Sequence, residues 1–243
     1  DTKGFKGKNL FGKIVSLIYL EINIIKSIFI IKKIKPDIVF STGGYVTFAP
    51  ALASLILSIP LFIHEQNSVP GLVNRILNRF SKLSFEAFPG SFNKSPKIHT
   101  VGNPVRSEII KNPQPEITMK EHFNILILGG SQGSKQLNEI VLKAFQDKIA
   151  PSHWRIVHQT GDLDKSTLVD VYSKQSFSYE VVSYIEDIGK AYHESDLVIG
   201  RSGAMTVSEI CCSSKPSILF PLPWAADNLS LIHISEPTRQ EAI

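Results

Sequence analysis

The stretch Phe123–Ser134, FNILILGGSQGS, decides the fold of this chain. It begins with an apolar run that holds one polar residue, Asn124, and then reaches the cluster Gly129-Gly130-Ser131-Gln132-Gly133. Apolar residues then recur with helical period at Leu137, Ile140, Val141, Ala144 and Phe145. A short apolar run, ended by glycines and followed by this pattern, predicts a strand, a tight loop and a helix.

The loop of this corner suits an anionic ligand. Glycines let backbone amides approach a ligand closely, and the N-terminus of the following helix carries partial positive charge. The pattern therefore indicates a phosphate site. An ordinary turn between strand and helix is the alternative, because glycine-rich motifs also occur without a ligand.

Two further corners repeat the pattern. Ser41-Thr42-Gly43-Gly44-Tyr45 follows the apolar run Ile38–Phe40, and Gly200–Gly203 follows Leu197–Ile199 and precedes a helix start at Ala204–Glu209. Three such corners predict repeated βα units with ligands at the strand ends.

The rest of the chain fits two Rossmann-like halves. The pattern predicts one long or two short helices over 9–35, strand 37–40, helix 50–58, strand 61–64, helix 72–83, and strands 83–87 and 97–101. After Phe123 it predicts strand 154–159, helix 163–175, strand 179–182, helix 188–194, strand 196–199, helix 205–212 and strand 217–220. Two prolines among the polar residues of Asn112–Glu116 indicate a linker. We therefore expect domains at 1–106 and 123–228 with a linker at 107–122.

Composition is that of a soluble globular protein: 243 residues, 43% hydrophobic and 20% charged. Ile38–Ile63 lacks charge and is long enough to cross a bilayer. Glycines and two prolines interrupt it, so we expect a buried strand, helix and strand instead. Adjacent Cys211 and Cys212 argue against a disulfide framework or a metal site.

Positive charge is concentrated at the start of the chain. Residues 1–35 hold eight lysines against two acidic residues, Asp1 and Glu21. The segment suits an anionic surface, either lipid headgroups or nucleic acid. The alternative is a solvated helix face.

Eight blocks of sequence, in order, resemble the MurG-type glycosyltransferases of peptidoglycan synthesis. They read KPDIVFSTGGYVTFAP, PLFIHEQNSVPGLVNRIL, AFPGS, VGNPVR, ILILGGSQGS, HQTG, YIEDIGKAYHESDLVIGRSGAMTVSE and ILFPLPWAADN. The resemblance implies an α/β fold of the GT-B type, with two Rossmann-like domains facing across a cleft. It also implies transfer of N-acetylglucosamine from UDP-N-acetylglucosamine to lipid I, giving lipid II.

The implied reaction inverts the anomeric centre and needs neither a metal nor a cofactor. Its partners would be UDP-N-acetylglucosamine, lipid I and an anionic membrane surface, with no nucleic acid. The protein would act peripherally at the cytoplasmic face of the bacterial inner membrane.

The resemblance places the donor sugar nucleotide on named residues. The diphosphate would meet Ser131 and the loop residues Gly130, Gln132 and Gly133. Glu209 would accept hydrogen bonds from the ribose hydroxyls, which suits a carboxylate. The other residues implied at the donor are Asn67, Arg106, Ile185 at the uracil, Ala204, Met205, Thr206, Val207 and Ser208.

On the acceptor side, Gly43, Gly44 and Tyr45 would help to hold lipid I. Glu65 is the carboxylate available in these blocks as a general base. His64 fits a satisfied core histidine better than a catalytic residue.

Three of the donor residues have structural alternatives. Arg106 would cap a helix or pair with a carboxylate, and Asn67 would be a turn residue before Pro70. Glu209 would be a solvated carboxylate in the first turn of a helix.

The chain departs from the family pattern at both ends. The opening glycine-rich loop with its histidine, which holds the favoured base of the family, has no match here. After Asn228 the family has His or Gln residues, where this chain has Leu229 and Ser230. We expect an incomplete N-terminal domain, a truncated C-terminal domain, a non-native tail at 229–243, and no transfer by the chain as written. The alternative functions are another GT-B enzyme, such as a UDP-N-acetylglucosamine epimerase, or a non-catalytic module that binds nucleotide or membrane.

Overall fold

A computed structural model describes residues 10–110, 121–130, 133–146, 150–161 and 165–221. The chain divides into two compact units, residues 1–103 and 104–243. Each unit is built around its own parallel β-sheet.

The described residues of the first unit form three helices and a four-stranded sheet. Its elements are α1 (Leu10–Ile34), β1 (Val39–Ser41), α2 (Tyr45–Ile56), β2 (Leu61–Glu65), α3 (Leu72–Leu77), β3 (Leu83–Glu86) and β4 (Ile98–Thr100). The strands pair in the order β1-β2-β3-β4, all parallel. The core of this unit contains Ala51, Leu61, Ile63, Val73, Leu77 and Phe92. The strand–helix–strand prediction for the uncharged stretch 38–63 is confirmed.

Two predicted helices of this unit have different bounds. Helix α2 begins at Tyr45 and contains Pro50, so the predicted start at residue 50 is wrong. The buried alanines of α2 pack closely, which outweighs the backbone hydrogen bond that Pro50 removes. Helix α3 ends at Leu77 and not near residue 83. There the side chain of Asn78 accepts a hydrogen bond from Ser84 Oγ at 2.7 Å, which holds the turn into β3.

The second unit is a five-stranded α/β sheet. Its elements are α4 (Ser107–Ile110), β5 (Phe123–Leu128), α5 (Lys135–Gln146), β6 (Trp154–Gln159), α6 (Lys165–Tyr172), β7 (Ser178–Val182), α7 (Ile188–Glu194), β8 (Leu197–Arg201), α8 (Ala204–Ser213) and β9 (Ser217–Phe220). The strands lie in the order β7-β6-β5-β8-β9, all parallel.

Both faces of this sheet are covered, which explains the unbroken apolar run of β5. Ile125 and Ile127 belong to a core cluster that includes residues of α5 and α6. Leu126 and Leu128 belong to a second cluster, with residues of α4, α7 and α8. The predicted linker 107–122 thus starts with a short helix, α4, that packs in this unit, and residues 111–120 lie outside the described part.

Within the described ranges, we find no helix whose length and hydropathy would suit a membrane span.

Candidate functional site

The corner between β5 and α5 combines two different glycine requirements. Gly133 has φ +77°, and a Cβ atom there would lie 2.2 Å from the Thr160 carbonyl oxygen, so close packing against the end of β6 demands glycine. Gly130 has φ +84°, but a Cβ atom there would meet no atom of the described residues within 4 Å. Packing therefore explains Gly133, while Gly130 borders open space. Ser131 and Gln132 lie outside the described residues.

The corner between β8 and α8 divides the predicted block Ala204–Glu209 into two groups. Ala204, Val207 and Ser208 are buried. Thr206 and Glu209 line a cavity, whereas Met205 is half-buried and is not among its lining residues. Of this block, the side chains of Thr206 and Glu209 are therefore placed to contact a nucleotide in the cavity. The buried residues Ala204, Val207 and Ser208 contribute packing.

The cavity has a volume of about 290 Å³. It lies at the carboxyl ends of β5 and β8, where the strand order reverses direction along the chain, which is the usual ligand position in open α/β sheets. Its lining residues are Arg106, Leu128, Gly129, Gly130, Gln159, Tyr184, Ile185, Ile188, Arg201, Gly203, Thr206 and Glu209. The fold thus brings five predicted donor residues together: Arg106, Gly130, Ile185, Thr206 and Glu209.

Glu209 is held in place before any ligand binds. The Tyr192 hydroxyl donates a hydrogen bond to Glu209 Oε2 at 3.2 Å. Burial raises the pKa of the Glu209 carboxyl, and the Tyr192 hydrogen bond and the positive charge of Arg106 oppose that rise. The alternative of a solvated carboxylate in the first helical turn is wrong, since Glu209 is half-buried and lies beyond the first turn of α8.

Arg106 does two things at once. Its backbone carbonyl accepts a hydrogen bond from the Ile109 amide at 3.0 Å, which starts α4. Its exposed side chain lines the cavity and supplies a positive charge near Glu209. Such a cation suits a diphosphate.

Among the lining residues that received no role from the sequence, three have polar side chains: Gln159, Tyr184 and Arg201. Gln159 Nε2 donates to the Gly130 carbonyl at 3.2 Å and so supports the glycine loop. Gln159 and Arg201 end β6 and β8, the two neighbours of β5. Their position at the ends of predicted strands was the available signal.

In the first unit, the Glu65 side chain organises a loop. Glu65 is 3% exposed. Its Oε1 accepts from the backbone amide and from Nδ2 of Asn67, both at 3.0 Å. Its Oε2 accepts from the Gly71 amide at 3.1 Å and from Asn74 Nδ2 at 2.9 Å. Hydrogen bonds from four donors favour a structural role for this carboxylate over proton transfer.

The predicted acceptor corner touches the same network. Gly43 and Gly44 connect β1 to α2, and Tyr45 is the exposed first residue of that helix. A Cβ atom on Gly43 would lie 2.8 Å from Asn74 Nδ2, so Gly43 packs directly on the residue that bonds Glu65. The structure therefore brings Gly43, Asn67 and Glu65 into one neighbourhood of the first unit.

His64 and Asn67 match their structural alternatives. His64 is buried, and its Nε2 lies 3.0 Å from the Gly102 carbonyl oxygen. Asn67 is engaged with Glu65 through both its backbone and its side chain.

One Asp-x-Asp spacing, Asp162-Leu163-Asp164, occurs between β6 and α6. These three residues lie outside the described part of the chain. The EDTA experiment under the proposed function tests the expected metal independence.

Comparison with known proteins agrees with this architecture. Residues 124–241 match the profile of the glycosyltransferase family 28 C-terminal domain, and residues 1–85 match that of its N-terminal domain. The UDP-N-acetylglucosamine--N-acetylmuramyl-(pentapeptide) pyrophosphoryl-undecaprenol N-acetylglucosamine transferase of Wigglesworthia glossinidia brevipalpis is 42% identical over 224 residues. That alignment covers 90% of this chain and 61% of the relative.

The transferase of the same name from Coxiella burnetii is 38% identical over 229 residues, which cover 93% of this chain and 64% of that protein. A crystal structure of Acinetobacter baumannii MurG superposes with a TM-score of 0.72 at 32% identity, over 90% of this chain and 62% of that one. The chain thus spans less than two thirds of the length of these relatives.

Two parallel α/β units, superposable on a MurG structure, define a protein of the GT-B class of glycosyltransferases. The two family profiles together cover most of its length. The chain belongs to glycosyltransferase family 28.

Proposed function

We propose that this protein transfers N-acetylglucosamine from UDP-N-acetylglucosamine to lipid I, giving lipid II. The observation that carries the proposal is the cavity of the second unit, where Arg106, Gly130, Thr206 and Glu209 meet at the switch point of the sheet. The names of the relatives at 38–42% identity supply the donor and the acceptor.

The cavity offers a matching group for each part of UDP. Glu209 accepts the ribose hydroxyls, and the backbone of Ile185 meets the uracil. The amides of the Gly130 loop and the N-terminus of α5 face the diphosphate, and Arg106 adds a positive charge. Ser131, Gln132 and Gly133 complete the proposed donor set, whereas Asn67 lies in the first unit, where it is bonded to Glu65.

The chemistry is a single displacement. The muramoyl 4-hydroxyl oxygen forms a bond to the anomeric carbon, the bond from that carbon to the diphosphate oxygen breaks, and UDP leaves with the electron pair. The hydroxyl proton passes to a base. Negative charge grows on the leaving diphosphate, so the amides and helix dipole of the β5–α5 corner stabilise the transition state.

The acceptor is assigned to the first unit, around Gly43, Gly44 and Tyr45. Glu65 remains a candidate base, but its four hydrogen bonds favour a role in shaping the loop that follows β2. The pH dependence of the transfer rate separates these roles. If Glu65→Gln keeps the fold but abolishes the fall in rate at low pH that a general base causes, proton transfer is assigned to Glu65.

Titration of UDP into the 243-residue chain tests the donor site. Glu209→Ala should weaken UDP binding by about 1–3 kcal/mol, the usual range for a hydrogen bond to a charged group. Glu194→Ala, which removes an exposed carboxylate of α7, is the matched control and should leave the affinity unchanged. Equal affinities for the Glu209→Ala and parent chains would contradict the ribose role.

Transfer of labelled N-acetylglucosamine to lipid I by the full-length protein, with and without EDTA, tests the reaction itself. Activity lost with EDTA and restored by Mn²⁺ would show that metal independence is wrong. Formation of an epimerised sugar nucleotide without acceptor would favour an epimerase. UDP binding without either reaction would favour a non-catalytic module.

We also propose a peripheral position on the anionic cytoplasmic face of the inner membrane, with α1 as the contact. Positions 22, 25, 26, 29, 32 and 33 follow helical spacing and share one exposed side of α1. They are Ile22, Ile25, Lys26, Phe29, Lys32 and Lys33. Apolar side chains flanked by lysines are typical of a helix that lies on anionic lipid.

A further inference from the structure

Tyr192 is a buried tyrosine whose hydroxyl reaches the candidate site. The residue lies on α7 and is 1% exposed. Its ring belongs to the core cluster that contains Leu126, Leu128 and Ile210. Close packing leaves the ring with little rotational freedom, so the position of its hydroxyl is set by the fold.

That hydroxyl holds one edge of the Glu209 carboxylate, at 3.2 Å from Oε2. An ionised carboxylate has about four acceptor positions on its two oxygens. The hydrogen bond from Tyr192 uses one of them, on Oε2, and within the described ranges Oε1 is left for a ligand. The carboxylate therefore does not have to be ordered when the ligand binds, which reduces the entropic cost of binding.

We propose that Tyr192 is a positioning residue that presents the Glu209 carboxylate to the 2′- and 3′-hydroxyls of a ribonucleotide. Tyr192 thereby favours ribonucleotides over nucleotides that lack these hydroxyls. This inference rests on the proposed function of the cavity as a UDP site, and it adds the residue that acts through Glu209.

Several charged or titratable groups act on Glu209 or line the same cavity. Tyr192 comes from α7, Arg106 precedes α4, and Cys212 follows on α8, while Arg201 and Tyr184 also line the cavity. Burial raises the pKa of Tyr192, so its hydroxyl stays protonated and remains a donor.

The effect of pH gives a readout that simple loss of packing would not change. Burial raises the pKa of Glu209, and the hydrogen bond from Tyr192 opposes this rise. Tyr192→Phe removes the hydrogen bond, so the pKa of Glu209 should rise further. The ionised carboxylate is the better acceptor for the ribose hydroxyls. As the pH is lowered, the UDP affinity of the variant should therefore begin to fall at a higher pH than the affinity of the parent chain.

Calorimetric titration with UDP and with 2′,3′-dideoxy-UDP tests the proposal on the 243-residue chain. Tyr192→Phe should weaken UDP binding about tenfold, as expected for a hydrogen bond to a charged group, and should leave the binding of 2′,3′-dideoxy-UDP unchanged. Tyr172→Phe is the matched control. Tyr172 is equally buried but belongs to the other core cluster of this unit, and its hydroxyl is hydrogen-bonded to His158. Tyr172→Phe should therefore leave the affinity for both nucleotides unchanged.

The outcomes separate the two proposals. A parent chain that does not bind UDP overturns the proposed function. A parent chain that binds UDP, with Tyr192→Phe weakening both nucleotides equally or neither, overturns the role of Tyr192. In a Glu209→Gln background, Tyr192→Phe should have little further effect on UDP affinity, and a full additional loss there also overturns the proposal.

Discussion

At the scale of single residues, Gly130 and Gly133 separate ligand binding from folding. Gly130→Ala places a methyl group in open space beside the cavity, at a strained φ of +84°. Gly133→Ala drives a methyl group into the Thr160 carbonyl. We expect Gly130→Ala to cost about 1 kcal/mol of stability and to weaken UDP binding, whereas Gly133→Ala should lower the thermal midpoint clearly more.

Thermal unfolding and UDP titration of both variants check this prediction. Gly90→Ala serves as a control for strain, since it also has positive φ and an uncrowded Cβ position but lies in the first unit. If Gly130→Ala binds UDP like the parent chain, the β5–α5 corner is a plain turn.

His158 predicts a pH dependence of stability. It is fully buried, and burial lowers its pKa from 6.5 to about 4. The folded state thus favours the neutral ring. This stabilisation is complete above pH 6.5 and is lost as the pH falls towards 4, by about 3 kcal/mol at most.

Chemical denaturation of the parent chain and of the double variant His158→Leu, Tyr172→Phe between pH 7 and pH 4 measures this contribution. The Tyr172 hydroxyl is hydrogen-bonded to His158 Nδ1 and would lose this partner in His158→Leu alone. The Tyr172→Phe change removes that hydroxyl. The double variant should lose less stability over this range. Identical pH dependence in both proteins would contradict the assignment to His158.

More of the predicted site residues share one cavity in the second unit than in the first. Gly130, Thr206 and Glu209 follow strands whose order could be inferred, so their meeting at one edge was foreseeable. The structural role of Glu65 was not predictable, because a sequence shows a carboxylate but not the four donors that surround it. Tyr192 gave no signal, since only the packing of α7 against α8 brings its hydroxyl to Glu209.

At the scale of elements, α1 makes a prediction about lipid binding. Lys26, Lys32 and Lys33 are exposed beside Ile25 and Phe29. Changing the three lysines to glutamate should abolish co-sedimentation with anionic vesicles, because each lysine near such a surface contributes about 1 kcal/mol. The same lysine-rich segment includes Lys6 and Lys8, which lie outside the described residues. The side chains of Leu10, Phe11, Lys13 and Ile14 in this segment also lie outside the described part.

A triple change at Lys94, Lys143 and Lys174, which are exposed away from α1, is the matched control and should not affect sedimentation. Vesicle binding that is unchanged by added salt and by the three α1 substitutions would rule out an electrostatic contribution of these lysines. Failure of the parent chain to bind would favour the alternative, in which the apolar side of α1 is a protein contact.

Element bounds show where sequence patterns lose precision. Strand positions were predicted within one or two residues, because buried parallel strands are short apolar runs between turn residues. Helix ends were less predictable. Helix α2 begins before Pro50, which depends on the packing of its buried residues. Helix α3 stops where Asn78 bonds Ser84, a side-chain hydrogen bond that a hydrophobic pattern does not reveal.

At the scale of the whole molecule, UDP should stabilise the two units unequally. The residues found to line the cavity all belong to the second unit. UDP at a hundredfold excess over its Kd adds about 2.7 kcal/mol to the state that binds it. Hydrogen exchange should therefore slow at 129–130, 184–185 and 201–209, with little change at 39–65. Equal protection in both units would contradict this localisation.

The strand order of the second sheet also governs when the candidate site is able to form during synthesis. In the first unit every strand pairs with its neighbours in sequence, so the sheet grows as the chain leaves the ribosome. In the second unit β5 pairs with β8, which is synthesised much later. The Asn124 amide likewise donates a hydrogen bond to the Asp196 carboxylate, 72 residues further along the chain. Glu209 is made later still. A sugar nucleotide therefore has no complete pocket to enter until almost all of the described chain has been translated, and it cannot guide the earlier steps of folding.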